Sequence, residues 1–76
     1  MTLKDKVAIV TGASKGIGRA IVLALLDAGV KVGGLSRSNP GIGHPNFLYV
    51  KTDISNYLSA EMGFYEVENT FGLFLF

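Results

Sequence analysis

Three glycines lie close together in Thr11-Gly12-Ala13-Ser14-Lys15-Gly16-Ile17-Gly18, where a short apolar run gives way to a longer one. The chemistry such a loop offers is anion binding. With a strand before it and a helix after it, the first N–H groups of the helix lack an intrahelical acceptor and sit at the positive end of the helix dipole. A phosphate seated there accepts hydrogen bonds from the main chain itself. Each glycine has its own task. Gly12 turns the chain sharply off the strand, Gly16 lets the backbone approach a pyrophosphate with no Cβ in the way, and Gly18 allows the helix to pack closely on the strand. Ser14, Lys15 and Ile17 share the loop, and Lys15 adds a positive charge. The spacing is Gly-x-x-x-Gly-x-Gly, unlike the Gly-x-Gly-x-x-Gly of the commonest dinucleotide fingerprint. A nucleoside-triphosphate loop needs Lys followed by Ser or Thr after its last glycine, and Lys15 comes before Gly16.

The flanking residues supply the elements this loop requires. Residues 7–10 are a continuous apolar run between Lys4-Asp5-Lys6 and Thr11-Gly12, which predicts a strand buried on both faces. Residues 17–28 space Ile17, Ala20, Ile21, Ala24, Leu25 and Ala28 three and four apart and stop at Gly29, which predicts an amphipathic helix with that stripe inward. Residues 30–35 read as a second strand, weakened by Gly33-Gly34, since glycine brings no side chain to pack. Residues 38–46 are dense in Pro, Gly and Asn and form a loop, and residues 47–50 a third strand. Strand, helix, strand, loop, strand with no hairpin signal predicts parallel pairing. Further on, Ala60, Phe64, Val67 and Phe71 recur at helical spacing with Ser55 as the candidate cap, although Gly63 interrupts the run. Residues 71–76 read as the opening of a fourth strand.

Composition sets the bounds. The 76 residues are 49% hydrophobic with a net charge of +1, which fits a small α/β core and offers no field for nucleic acid or a membrane surface. The apolar runs 20–26 and 71–76 are too short to span a bilayer. With no cysteine there is no disulfide or thiolate metal site, and with no leader pattern at residues 1–10 the expected location is the cytoplasm. All seven Lys and Arg precede Thr52, and only Glu61, Glu66 and Glu68 are charged after Asp53, so the last third is a compositional break.

The run from Lys6 to Ile21, KVAIVTGASKGIGRAI, resembles the opening of the short-chain dehydrogenase/reductase family. The likeness continues through Leu35-Ser36-Arg37 and Thr52-Asp53-Ile54-Ser55, dividing a family-like stretch, 1–55, from a divergent tail, 56–76. The resemblance implies an α/β, Rossmann-type, doubly wound parallel sheet, present here as an incomplete β-α-β-(α) unit with three parallel strands. It also implies a dinucleotide cofactor. A site preferring NAD(H) carries an acid at the end of the second strand, where it accepts from the ribose 2′-hydroxyl; here that place holds Ser36-Arg37. A guanidinium grips a phosphate with paired N–H donors and Lys15 adds a second cation, so NADP(H) is preferred over NAD(H). Asp53 resembles the family residue whose carboxylate accepts from the adenine amino group, and Ile54 the one that packs beside the ring.

The family's chemistry uses a tyrosine with a lysine four residues on, together with a serine. Tyr49, Tyr57 and Tyr65 are followed four residues later by Asp53, Glu61 and Asn69, so no catalytic constellation is expected within the 76 residues. His44 stands alone in its loop and reads as an exposed histidine, and no metal cluster appears. Two functions are expected from this pattern: the N-terminal NADP(H)-binding segment of an oxidoreductase, catalytically incomplete as it stands, or a stand-alone nucleotide-binding or interaction module. In the family's sheet the first strand is central. Lacking a fourth strand, its outer edge would be free to pair with another copy.

Overall fold

A computed structural model describes residues 3–72 and shows three layers. The elements are β1 (Val7–Thr11), α1 (Gly16–Asp27), β2 (Lys31–Ser36), β3 (Phe47–Lys51) and α2 (Tyr57–Phe71). The strands pair in the order β1-β2-β3, all parallel, with Val7 opposite Lys31 and Val32 opposite Phe47. The expected Rossmann-type α/β unit is therefore present.

Alternation along the strands sends successive side chains to opposite faces. On one face Ala8 and Val32 pack with Ala13, Val22, Leu26 and Val30 beneath α1; on the other, Val7 and Leu35 pack with Val67 of α2. The glycine pair in β2 lies at the centre of this arrangement. A Cβ at Gly33 would overlap Val67, and one at Gly34 would lie 2.7 Å from the Phe47 ring and 3.1 Å from the Ala13 Cβ. The missing side chains that weaken the strand by propensity are what let both covering layers approach.

The inward stripe of α1 differs from the expected one. Val22 and Leu26 are buried and Leu25 half-buried, whereas Ile17 and Ile21 are 79% and 44% exposed and Ala20, Ala24 and Ala28 face outward. Apolar residues surround this helix on nearly every side, so spacing alone does not select the face; the close seat of Gly18 against the loop does. In α2 the cap is Asn56, whose side chain accepts from the Ser59 N–H at 3.2 Å, and not Ser55. The Ser55 hydroxyl is engaged by Asp53 instead. Gly63 replaces Phe64 on the buried stripe, because a Cβ there would already lie 2.8 Å from Leu35 and 2.9 Å from Thr52. Phe64 is 40% exposed. Phe71 ends α2 and does not open a strand, while the remainder of that expected strand, 73–76, lies outside the described residues.

Candidate functional site

The turn from β1 into α1 is made by two residues in the left-handed region, Gly12 at φ 66° and Gly16 at φ 61°, where side chains are strained. The Gly12 N–H donates to the Leu35 carbonyl at 2.9 Å, extending the β1–β2 ladder into the turn. Ala13 is fully buried and anchors the loop on the sheet. Lys15, in extended conformation, precedes the helix, but its side chain makes no capping bond and the first turn carries no acidic residue. This helix start thus has its main-chain donors and positive dipole end without a side-chain acceptor, which is what an anion needs. The contrast with the Asn56-capped α2 is direct.

Gly18 has a different task from the expected one. A Cβ on it would overlap the carbonyl oxygen of Gly12 and stand 2.9 Å from its carbonyl carbon, so it is the loop, and not a strand, that Gly18 admits.

Beyond the carboxyl ends of the strands lies a cleft of about 290 Å³ lined by Gly12, Ser14, Lys15, Leu35, Ser36, Arg37, Ser38, Thr52 and Ile54. Of the residues singled out in the sequence, Gly12, Ser14, Lys15, Ser36, Arg37 and Ile54 meet here. Gly16 and Ile17 sit at the helix start beside it, and Gly18 turns back toward Gly12. Leu35, Ser38 and Thr52 were missed by sequence reasoning; the alternation of β2 and the Thr-Asp step after β3 are the signals that could have found them.

The floor of the cleft is tightly held. The Ser36 carbonyl accepts from the Thr52 N–H at 2.9 Å and the Tyr49 hydroxyl at 3.1 Å, while the Ser36 hydroxyl donates to the Ser38 carbonyl at 2.8 Å. The buried Thr52 hydroxyl donates to the Val50 carbonyl at 3.0 Å. At the rim, Arg37 Nη2 donates to Asp53 Oδ1 at 3.3 Å, an ion pair joining the ends of β2 and β3. The same oxygen accepts from the Ser55 hydroxyl at 2.6 Å and the Ser55 N–H at 3.1 Å. Those two hydrogen bonds, with the Arg37 charge beside them, hold the Asp53 carboxyl below its ordinary value.

A second hollow, about 380 Å³, lies between α1 and the 38–46 loop, with Arg19, Asp27 and His44 among its lining. It shares no residue with the glycine loop. His44 is exposed, and its Nδ1 accepts from the Asn46 N–H at 3.0 Å. Among the described residues no helix is long and apolar enough to cross a membrane.

A glycine-rich strand-to-helix turn opening on a cleft at the carboxyl end of a parallel sheet is a dinucleotide-site geometry. A family model described as short chain dehydrogenase matches residues 6–72. The chain belongs to the short-chain dehydrogenase family. It corresponds to the N-terminal part of that family. Benzil reductase, (S)-benzoin forming, of Bacillus subtilis is 41% identical over 56 residues, covering 74% of this chain and 23% of that protein. The 3-oxoacyl-acyl-carrier-protein reductase of Salmonella typhimurium is 43% identical over 60 residues, covering 79% of this chain and 21% of the relative. Among solved structures, the 3-ketoacyl-(acyl-carrier-protein) reductase of Brucella melitensis, complexed with NADH, superposes with a TM-score of 0.90 at 28% identity, covering 96% of this chain and 33% of that one. The chain thus spans between 21% and 33% of the length of these short-chain dehydrogenase relatives.

Proposed function

We propose that this chain forms the NADP(H)-binding segment of a short-chain reductase that moves hydride between nicotinamide and a carbonyl or alcohol. One observation carries the reading: Arg37 and Lys15 line the same cleft as the glycine loop, and the end of β2 there holds Ser36 where an acid would favour NAD(H). Gly12 and Gly16 shape the loop, Gly18 seats the helix against it, and Ser14, Lys15 and the main chain at Gly16 and Ile17 hold the diphosphate. Arg37 grips the ribose 2′-phosphate. Ser36 supplies a wall and an acceptor, since its hydroxyl proton is already given to Ser38. Asp53 accepts from the adenine amino group and Ile54, 52% exposed, covers the ring.

The bound nicotinamide supplies the hydride; these residues bind and orient it. No Tyr-x-x-x-Lys occurs in the 76 residues, and no proton-transfer step is assigned to them. The setting that fits is the cytoplasm, with which the lack of cysteine agrees. Calorimetric titration of the chain should show saturable NADPH binding, about tenfold tighter than NADH, as one charge-assisted contact implies. Absence of saturable binding, or NADH binding as tightly, would refute the proposal.

The same reading includes self-association. Among the described residues β1 is an edge strand, with Ile9 and Val10 only half-buried. An apolar edge of this kind is a template for a strand of another copy. In sedimentation, the 76-residue chain is expected as dimers or larger species; a monodisperse monomer at all concentrations would contradict this.

A further inference from the structure

Three donors converge on one oxygen of Asp53. Oδ1 accepts from the Ser55 hydroxyl, the Ser55 N–H and Arg37 Nη2, and none of these bonds involves Oδ2. The Ser55 bonds lie within one turn and fix the carboxylate. The Arg37 bond reaches from the end of β3 to the end of β2, and the main chain holds both sides of that gap. Thr52 N–H donates to the Ser36 carbonyl at 2.9 Å, and Asp53 N–H donates to the Ser59 hydroxyl at 3.0 Å. The sheet therefore keeps the carboxylate within reach of the guanidinium.

We propose that Asp53 is a specificity-determining residue that opposes the 2′-phosphate by competing with it for Arg37, setting a moderate preference for the phosphorylated cofactor in place of an exclusive one. This rests on the reading of the cleft as a dinucleotide site. Two effects share the same sign. A phosphate on Arg37 must share or displace a guanidinium already engaged, and it approaches a fixed negative charge within a screening length of about 8 Å. The effect of opposite sign, pre-positioning of Arg37 by Asp53, is weaker. The contact is a single N–H···O bond of 3.3 Å without the paired fork geometry, and the Arg37 side chain stays 77% exposed. Contact of Asp53 with adenine cannot discriminate, because adenine is common to both cofactors.

The test is to titrate the chain and its Asp53→Asn variant with adenosine 2′,5′-bisphosphate and adenosine 5′-monophosphate at one ionic strength. Loss of an adenine contact weakens both ligands alike, so the ratio of their Kd values isolates the coupling. In Asp53→Asn the preference for the bisphosphate should rise about two- to fivefold, the range an exposed ion pair supplies. An unchanged or reduced preference would overturn the proposal. In an Arg37→Gln background the competition is removed and only the charge repulsion remains, so the effect of Asp53→Asn should shrink; persistence in full would refute competition for Arg37. If the unsubstituted chain does not distinguish the two ligands, the cofactor reading itself fails and this proposal with it. Discrimination that Asp53→Asn leaves untouched overturns this proposal alone.

Discussion

Arg37→Asp is expected to abolish or reverse the cofactor preference, shifting the NADPH-to-NADH affinity ratio by about ten- to a hundredfold, the worth of hydrogen bonds to a charged group. The position of the side chain decides this outcome. The strand end beneath it is pinned, since the Ser36 carbonyl accepts from both Thr52 and Tyr49 and Ser36 is only 7% exposed. The side chain itself is 77% exposed, so its replacement removes no core packing and leaves the cleft in place. What changes is the sign of the charge at the position proposed to face the ribose. A carboxylate there accepts from a 2′-hydroxyl and repels a 2′-phosphate. NADH affinity should hold or improve while NADPH affinity collapses, and paired calorimetric titrations at fixed ionic strength measure both. An unchanged ratio would remove Arg37 from the site.

Gly18→Ala is expected to damage folding and binding together. The added methyl meets the Gly12 carbonyl oxygen and carbon and, at 3.4 Å, the Ala13 Cα. All three are main-chain atoms, so no side-chain rotation relieves the overlap, and the loop must be pushed off the helix. Overpacking in well-filled sites costs about 1–3 kcal/mol, and rigid backbone places this substitution at the upper end. The gain in helix propensity of about 1 kcal/mol offsets only part of that. Against a stability of about 5 kcal/mol for a small domain, the urea midpoint should fall clearly. Since the displaced loop carries the donors, NADPH affinity should drop at least about tenfold. Gly41→Ala is the control: that glycine is exposed, also lies at positive φ, and its Cβ would meet nothing within 4 Å. A Gly18→Ala chain with an unchanged midpoint and intact binding would contradict the loop geometry.

What the sequence discloses is the part of the fold that is local. The runs at 7–10, 30–35 and 47–50 fall within a residue or so of β1, β2 and β3, because continuous apolar stretches bounded by charges and turn formers admit few other structures. The glycine loop is legible for the same reason: its function depends on neighbours in the chain. The misreadings with the largest effect on packing involve distant partners, whereas the α2 cap and the task of Gly18 were misjudged within a few residues. Gly33 looks like a defect until Val67, 34 positions later, fills the space it leaves. Phe64 looks more apolar than Gly63, yet the gap above Leu35 and Thr52 accepts only a residue without a Cβ. The outward turn of Ile17 and Ile21 could not be read from a helix apolar on most sides. The site follows the same division. Arg37 and Asp53 each stand out as types, but their ion pair depends on the register of β2 against β3, which spacing does not reveal.

The most direct test of the central claim is an NADPH titration of the chain followed through its backbone amide resonances. Saturable shifts are expected at Gly12, Ser14, Lys15, Gly16, Ile17, Ser36, Arg37 and Ile54, the residues at and beside the cleft. Gly41, Gly43 and Leu23, in the hollow between α1 and the 38–46 loop, should stay unmoved. Shifts confined to that hollow, or none that saturate, would contradict a dinucleotide site at the glycine loop.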